Sequence, residues 1–329
     1  MLELIRPGLQ IDFVGKRRIW MTVSAIAMAA TLVLLFTKGL NYGIDFTGGA
    51  EVQIHVPAGS WDIGKLRNEL ETGGIQGLKV QQIGDAQSNQ YLVKAQGHED
   101  TLNLVAQHVR DILGKSLKAG EFEIQRVDVV GPAAGSSLRM SGFLSMFYAL
   151  LCILIYVTVR FDYRYSPGAV LALLHDTILT VGIFILTQKQ FDLQILAALL
   201  ALIGYSNNDT IIVYDRVRET VHQHPELPID KAVNRAVNET LGRTILTSLC
   251  TFITVSALWL FGGKVIEDFA FTLMVGIIVG TYSSIFIASS LVIVITHYHD
   301  RRLASGAKGG ANVARKKKVI LVRPEPKLN

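Results

Sequence analysis

The sequence predicts a polytopic α-helical membrane protein with six spans and one external α/β domain between the first span and the second. Three observations carry that expectation. Half of the 329 residues are hydrophobic and only 18% are charged, against about 25% charged in an ordinary soluble domain. Six stretches are long and apolar enough to cross a bilayer, which takes about 20 mostly apolar residues. The one long polar stretch, 38–137, alternates between strand-like and helix-like periodicity.

The spans read as 19–37, 140–159, 167–187, 193–214, 244–261 and 269–297. The first is long and has no small-x-small cleavage site, so it reads as an uncleaved anchor. Orientation follows from the flanking cations. Arg6, Lys16, Arg17 and Arg18 precede the first span, and Arg160 and Arg164 separate the second from the third. Arg216, Arg218, Lys231 and Arg235 separate the fourth from the fifth; Arg301, Arg302 and the lysines at 316–318 follow the sixth. The two short opposite turns hold only Lys189 and Lys264, beside Asp192, Glu267 and Asp268. Both termini are therefore expected in the cytoplasm. The expected division is a cytoplasmic segment 1–18, a first span 19–37, an external domain 38–137, helices 138–297 with a cytoplasmic loop at 215–243, and a basic, disordered tail 298–329. That topology also accounts for the net charge of +5. Cations at the inner face serve as topological determinants and contacts for anionic lipid, and nucleic acid is not an expected partner. Both cysteines, Cys152 and Cys250, fall inside spans, so the external domain must be stable without disulfides.

Within the external domain, EVQIHV alternates as a strand and WDIGKLRNELE has helical spacing through Ile63, Leu66 and Leu70. LKVQQIG and QYLVKAQ follow as strands around a polar turn with Asp85, Ser88 and Asn89. TLNLVAQHVRDILGKSL is amphipathic, with Thr101 or Asp100 as its cap, and FEIQRVDVV closes as a strand. The order βαββαβ is the ferredoxin-like, split-βαβ arrangement.

Enzymatic chemistry has no foothold in the motifs. Lys65, Lys79 and Lys264 lack the glycine frame of a phosphate-binding loop, there is no HExxH, and no nucleophile stands beside a base. His55, His98 and His108 show no ligand spacing, and His297 and His299 read as interfacial. No metal and no cofactor is expected.

What remains is charge inside the membrane. A carboxylate at the centre of a span costs about 2.5–3.5 kcal/mol on insertion scales. On the fourth span Tyr205, Asn208, Asp209, Ile212, Asp215 and Arg216 recur at helical spacing and form one polar stripe. Asp176 follows His175 in the third span, and Arg243 opens the fifth. Arg243, Asp215 and Arg216 lie near span ends, where long side chains can snorkel. Asp209 has no such escape and is a proton-relay or ion-site candidate; Asp176 stands between that role and a structural one. Gly276 and Gly280, followed by Thr281, Ser283, Ser284, Ser289 and Ser290, mark a helix-packing face on the sixth span.

Four segments carry a family resemblance. NYGIDFTGG holds Tyr42, Gly43, Asp45, Gly48 and Gly49; VGPAAGSSL holds Gly131 and Pro132. GYSNNDTIIVYDRVRE holds Gly204, Asp209, Asp215 and Arg216, and GTYSSIFIAS lies on the sixth span. In this order they resemble the signatures of the SecD/SecF protein-export membrane proteins, over roughly residues 10–300. Six spans and one external domain are similar to the shorter of the family's two chain types, not to the longer SecD. Family members often carry an acid at the position of Ser137. The resemblance implies half of an RND-like assembly in the bacterial cytoplasmic (inner) membrane, paired with SecD beside the SecYEG channel. It implies a proton-driven pull on exported unfolded polypeptide after SecA has pushed it through. It also implies a proton pathway through Asp209 and Arg243, with a partner acid on SecD; Asn208, Tyr205 and Asp176 are expected to support it. The competing expectations are a subunit of an RND-type exporter of small molecules or lipids, and a purely structural assembly subunit.

Overall fold

The computed structural model describes residues 10–56, 62–75, 78–83, 89–95, 104–116, 122–161 and 165–306. Helix α1 (Arg17–Thr37) leads through a short helix, α2 (Ile44–Thr47), into the α/β domain. That domain comprises β1 (Gly49–His55), α3 (Ile63–Thr72), β2 (Lys79–Ile83), β3 (Gln90–Ala95), α4 (Val105–Ser116) and β4 (Glu123–Val130). The helical part continues with α5 (Pro132–Arg160), α6 (Ser166–Thr187), α7 (Leu193–Gln223), α8 (Ile229–Phe261) and α9 (Lys264–Tyr282). A π-helical segment (Ser283–Ala288) joins α9 to α10 (Ser289–Gly306).

The domain is the expected βαββαβ unit. Its four strands are ordered β2-β3-β1-β4 and every pairing is antiparallel. Val52 and Ile54 of β1 point inward, as alternation requires, and are fully buried. Leu66 and Leu70 of α3, one turn apart, and Val109 and Leu113 of α4 close over the same face. Asp62 starts α3 by accepting a hydrogen bond from the Ile63 N–H at 2.7 Å. Asp100 and Thr101 lie outside the described residues, as do Asp85 and Ser88; Asn89 sits at φ 48 before β3.

Six helices are long and apolar enough to cross a membrane, so the chain is a multi-pass membrane protein. Helices α6, α7 and the α9–α10 pair are buried over more than half of their apolar windows, whereas α1, α5 and α8 are buried over less than a fifth. Three helices thus form an inner layer and three present apolar side chains outward.

The helices run further than hydropathy alone indicates. The second span begins at Pro132 and the sixth ends at Gly306. Residues 215–243, read from sequence as a loop, are helical apart from residues 224–228. The reason is an amphipathic stripe that an apolar average dilutes. Val233, Ala236, Val237 and Leu241 of α8 are buried against Val213, Tyr214 and Val217 of α7. The 31 residues of α7 make a rod of about 46 Å, well beyond a hydrocarbon core of about 30 Å. Asn234 and Asn238 on this extension accept hydrogen bonds from the Phe13, Val14 and Ile11 N–H groups and so hold the segment before α1. Residues 307–329 lie outside the described residues.

Residues 40–135 expressed alone are expected to fold cooperatively, because the domain's buried cluster is drawn from within it. Leu66→Ala should lower the stability of that fragment by about 2–5 kcal/mol, read as a shifted urea midpoint by circular dichroism.

Candidate functional site

Two arrangements sit on α7, one at its N-terminus and one in mid-helix. At the N-terminus, Asp192 caps the helix by accepting from the Ile195 N–H at 2.9 Å. A second carboxylate arrives from the segment after α1: Asp45 accepts from the Leu193 N–H at 3.0 Å. The first turn of any helix has unsatisfied N–H groups and a partial positive charge, and here two acids from distant parts of the sequence meet them. The segment is fixed further by backbone bonds, Gly43 N–H to the Phe191 carbonyl and Phe191 N–H to the Asn41 carbonyl, both 2.8 Å. The rings of Tyr42, Phe46 and Phe191 pack together.

The chain then turns into β1 through Gly48 (φ +72) and Gly49 (φ +144), conformations that favour glycine. Room matters as much as φ. A Cβ on Gly48 would stand 2.7 Å from Pro132 Cα, and one on Gly135 would stand 2.7 Å from Gly48 N. The start of α5 is therefore pressed against this turn, and Gly131, Pro132 and Gly135 belong to the same junction.

In mid-helix, Asp209 is 2% exposed. Ser248 of α8 donates to its Oδ2 at 3.2 Å, and Thr281 of α9 donates to Ser248 Oγ at 2.8 Å. Arg243 of α8 is exposed, and its charge acts on Asp209 without a direct ion pair. Asn208 and Gly204 are also exposed, on the outward side of α7. Tyr205 donates its hydroxyl proton to Thr251 Oγ1 at 3.1 Å, so neither it nor Asn208 hydrogen-bonds Asp209 among the described contacts.

Residues 110–298 match the family described as "Protein export membrane protein SecD/SecF, C-terminal", and residues 33–56 match "SecD/SecF GG Motif". The chain belongs to the SecD/SecF family. A protein translocase subunit SecF of Calditerrivibrio nitroreducens is 44% identical over 303 residues, covering 91% of this chain and 99% of that protein. The subunit of the same name from Pseudomonas aeruginosa is 39% identical, covering 86% of this chain and 90% of its own. The crystal structure of SecDF, a translocon-associated membrane protein from Thermus thermophilus, superposes with a TM-score of 0.79 at 34% identity. It covers 88% of this chain, which spans 39% of the SecDF polypeptide. The chain is thus a SecF-like protein-export subunit with the fold of part of SecDF.

Within this SecD/SecF chain the other singled-out residues fall into separate places. Asp215 lies 3.6 Å from Arg160, and Arg216 is held by Glu219 and Glu239 at 2.5 Å each. Both belong to ion pairs beyond the apolar part of α7 and do not touch Asp209. Gly276 and Gly280 face Leu202 and Ser206 of α7, one turn apart. Asp176 is buried on the α6 side of α7, away from Ser248. Sequence reasoning passed over Ser248, Gly135 and the turn at Phe191, and read Thr281 only as part of a packing face. The hydroxyls carry no signal in a helix rich in Ser and Thr, whereas Gly135 was visible as the end of a Pro-Ala-Ala-Gly run.

Gly48→Val should strain the turn and push α5 away, because the clash is with backbone. About 1–3 kcal/mol of backbone strain should appear as a lower melting temperature in detergent, with membrane insertion unchanged. Asp192, in the turn ahead of α7, gives a pH signature. Burial first, then the nearby Asp45 and Asp268 charges, push its carboxyl above the usual range. A raised acid contributes stability that is present below its unfolded pKa and is lost as pH rises through the folded value. Asp192→Asn, which keeps a good cap, should therefore flatten the loss of melting temperature seen in the unmodified chain as pH rises above the ordinary carboxylate range.

Proposed function

We propose that the chain is the SecF-type partner of a SecD chain beside the SecYEG channel. In this reading it couples inward proton flow to outward movement of unfolded polypeptide delivered by SecA. The observation that carries the reading is Asp209, a buried acid on a membrane helix, with its counter-charge Arg243 on an exposed edge. A guanidinium and an amide facing lipid would be costly, so the edge formed by Gly204, Asn208 and Arg243 calls for a partner surface carrying an acid. The SecDF relatives support SecD as that partner, since this chain matches only 38–39% of their length.

The termini and the extensions of α7 and α8 then lie in the cytoplasm of a bacterial inner membrane, and the βαββαβ domain lies outside. Exposed Arg18 and Lys231 at the inner face would contact anionic lipid. Asp45 gives the external domain a mechanical hold on the helix that bears Asp209. One charge crossing 100 mV delivers about 2.3 kcal/mol, which biases a two-state domain by about fifty-fold. A small-molecule exporter would need the same protons. A purely structural subunit would need no titrating acid.

Asp209→Asn keeps the volume and removes the titration. Insertion and pairing with SecD should survive, and export in inverted vesicles should lose its response to an imposed proton gradient. Arg243→Lys should retain part of the response that Arg243→Ala loses. An Asp209→Asn complex as gradient-responsive as the unmodified one, at matched levels, would remove Asp209 from the mechanism.

A further inference from the structure

On the other side of α7 lies a second buried carboxylate that the Asp209 site does not use. Asp176 is 1% exposed and His175 2%. His175 Nδ1 lies 2.9 Å from Asp176 Oδ1, and Ser206 of α7 donates to Asp176 Oδ2 at 2.5 Å. An ionised carboxylate only accepts hydrogen bonds, so Nδ1 carries the imidazole hydrogen and Nε2 is left with a lone pair. That Nε2 is fully buried and has no hydrogen-bond partner among the described residues. Gly280 of α9 makes the space: a Cβ there would stand 3.0 Å from the Ser206 oxygen and 3.7 Å from Asp176 Oδ2.

We propose that His175 and Asp176 form a second proton-binding site, enclosed within this chain and distinct from Asp209, at which His175 Nε2 takes up the proton. The inference rests on the reading of the chain as proton-coupled. Uptake forms one N–H bond at Nε2 and breaks one O–H bond in the hydronium that delivers the proton, which departs as water. The site changes from one net negative charge to a neutral imidazolium–carboxylate pair. Neutrality is the favoured condition in a medium that solvates an isolated charge poorly.

The surroundings isolate the pair. From α9 the Tyr282 ring lies 6.2 Å from the imidazole, with its hydroxyl engaged by Ser24 and the Trp20 carbonyl of α1. From α7 come Ser206 and, three residues on, Asp209, whose own counter-charge is Arg243 of α8. The π segment brings Ser283, whose buried hydroxyl also lacks a described partner. The charged and titratable side chains of α5, from Arg139 to Arg160, are exposed. Those of α1 lie at its start and those of α10 from its middle onward, where Arg17 and His297 both bind Asp230. The two acid sites meet on α9 through adjacent residues, Gly280 beside Asp176 and Thr281 bonded to Ser248.

The test is ¹⁵N-histidine NMR of the full chain in lipid nanodiscs from about pH 5 to about pH 9, a range that brackets ordinary histidine titration. His175 is assigned by its loss in His175→Gln. The expected result is a protonation change at His175 Nε2 in the unmodified chain and equally in Asp209→Asn. Asp176→Asn should move the midpoint by about tenfold or more in proton concentration. If that variant does not fold, Ser206→Ala, which strips the donor from Oδ2, should move it instead. A His175 signal constant across the range would overturn the proposal, and so would a midpoint that neither variant moves. Export that stays gradient-responsive in Asp209→Asn would count against the Asp209 reading alone and leave this titration standing.

Discussion

The four N–H groups that open a helix must find acceptors, and on α7 that requirement joins the two halves of the molecule. Asp192 supplies one acceptor from the adjoining turn, and Asp45 supplies another from about 150 residues earlier in the chain. The same helix carries Asp209 sixteen positions further along. Everything between α1 and β1 is arranged to deliver Asp45: the aromatic packing of Tyr42, Phe46 and Phe191, the backbone bridge to Phe191, and the glycine turn that lets the chain leave for the sheet. The βαββαβ domain is therefore tied directly to the end of the helix that holds the buried acid.

The inner layer shows how a membrane bundle accommodates polar groups. Asp176, Ser206, Asp209, Ser248 and Thr281 form hydrogen bonds across four helices, α6 to α9, and each hydroxyl contributes within a surface of otherwise small or apolar side chains. Glycines at 276 and 280 bring α9 onto α7 closely enough for these short side chains to meet. The acids are thus held by neutral donors within the chain, while the compensating guanidinium of Arg243 stands at its outer edge.

Much of the fold was legible because its signals are local. Alternation at Val52 and Ile54 and helical spacing at Leu66 and Leu70 each indicate one element, and six such elements in order define a βαββαβ unit. The spans were legible from apolar length. The helical character of residues 215–243 was not, because an amphipathic stripe such as Val233, Ala236 and Val237 is diluted in an apolar average. Asp209 stood out as a charge with nowhere to snorkel, but its partners did not. Tyr205 and Asn208 share its helical stripe, yet Asn208 is exposed and Tyr205 meets α8 at Thr251, one turn beyond the Ser248 that donates to Asp209. Sequence spacing gives positions round a helix; it does not say which neighbour occupies each side.

The π segment at Ser283–Ala288 gives the sixth span two angular phases. An extra residue in a helical turn rotates everything beyond it by about 100° relative to an uninterrupted α-helix. Gly276 and Gly280 can then face α7 while Ser289, Ser290, Val292 and Ile293, further along, also stay buried. Tyr214 secures the join by donating to the Ala288 carbonyl at 3.1 Å. Removing a single residue from this stretch would leave the length and apolarity of the span almost untouched, yet it would swing its inner half out of register with its outer half, turning buried serines toward lipid.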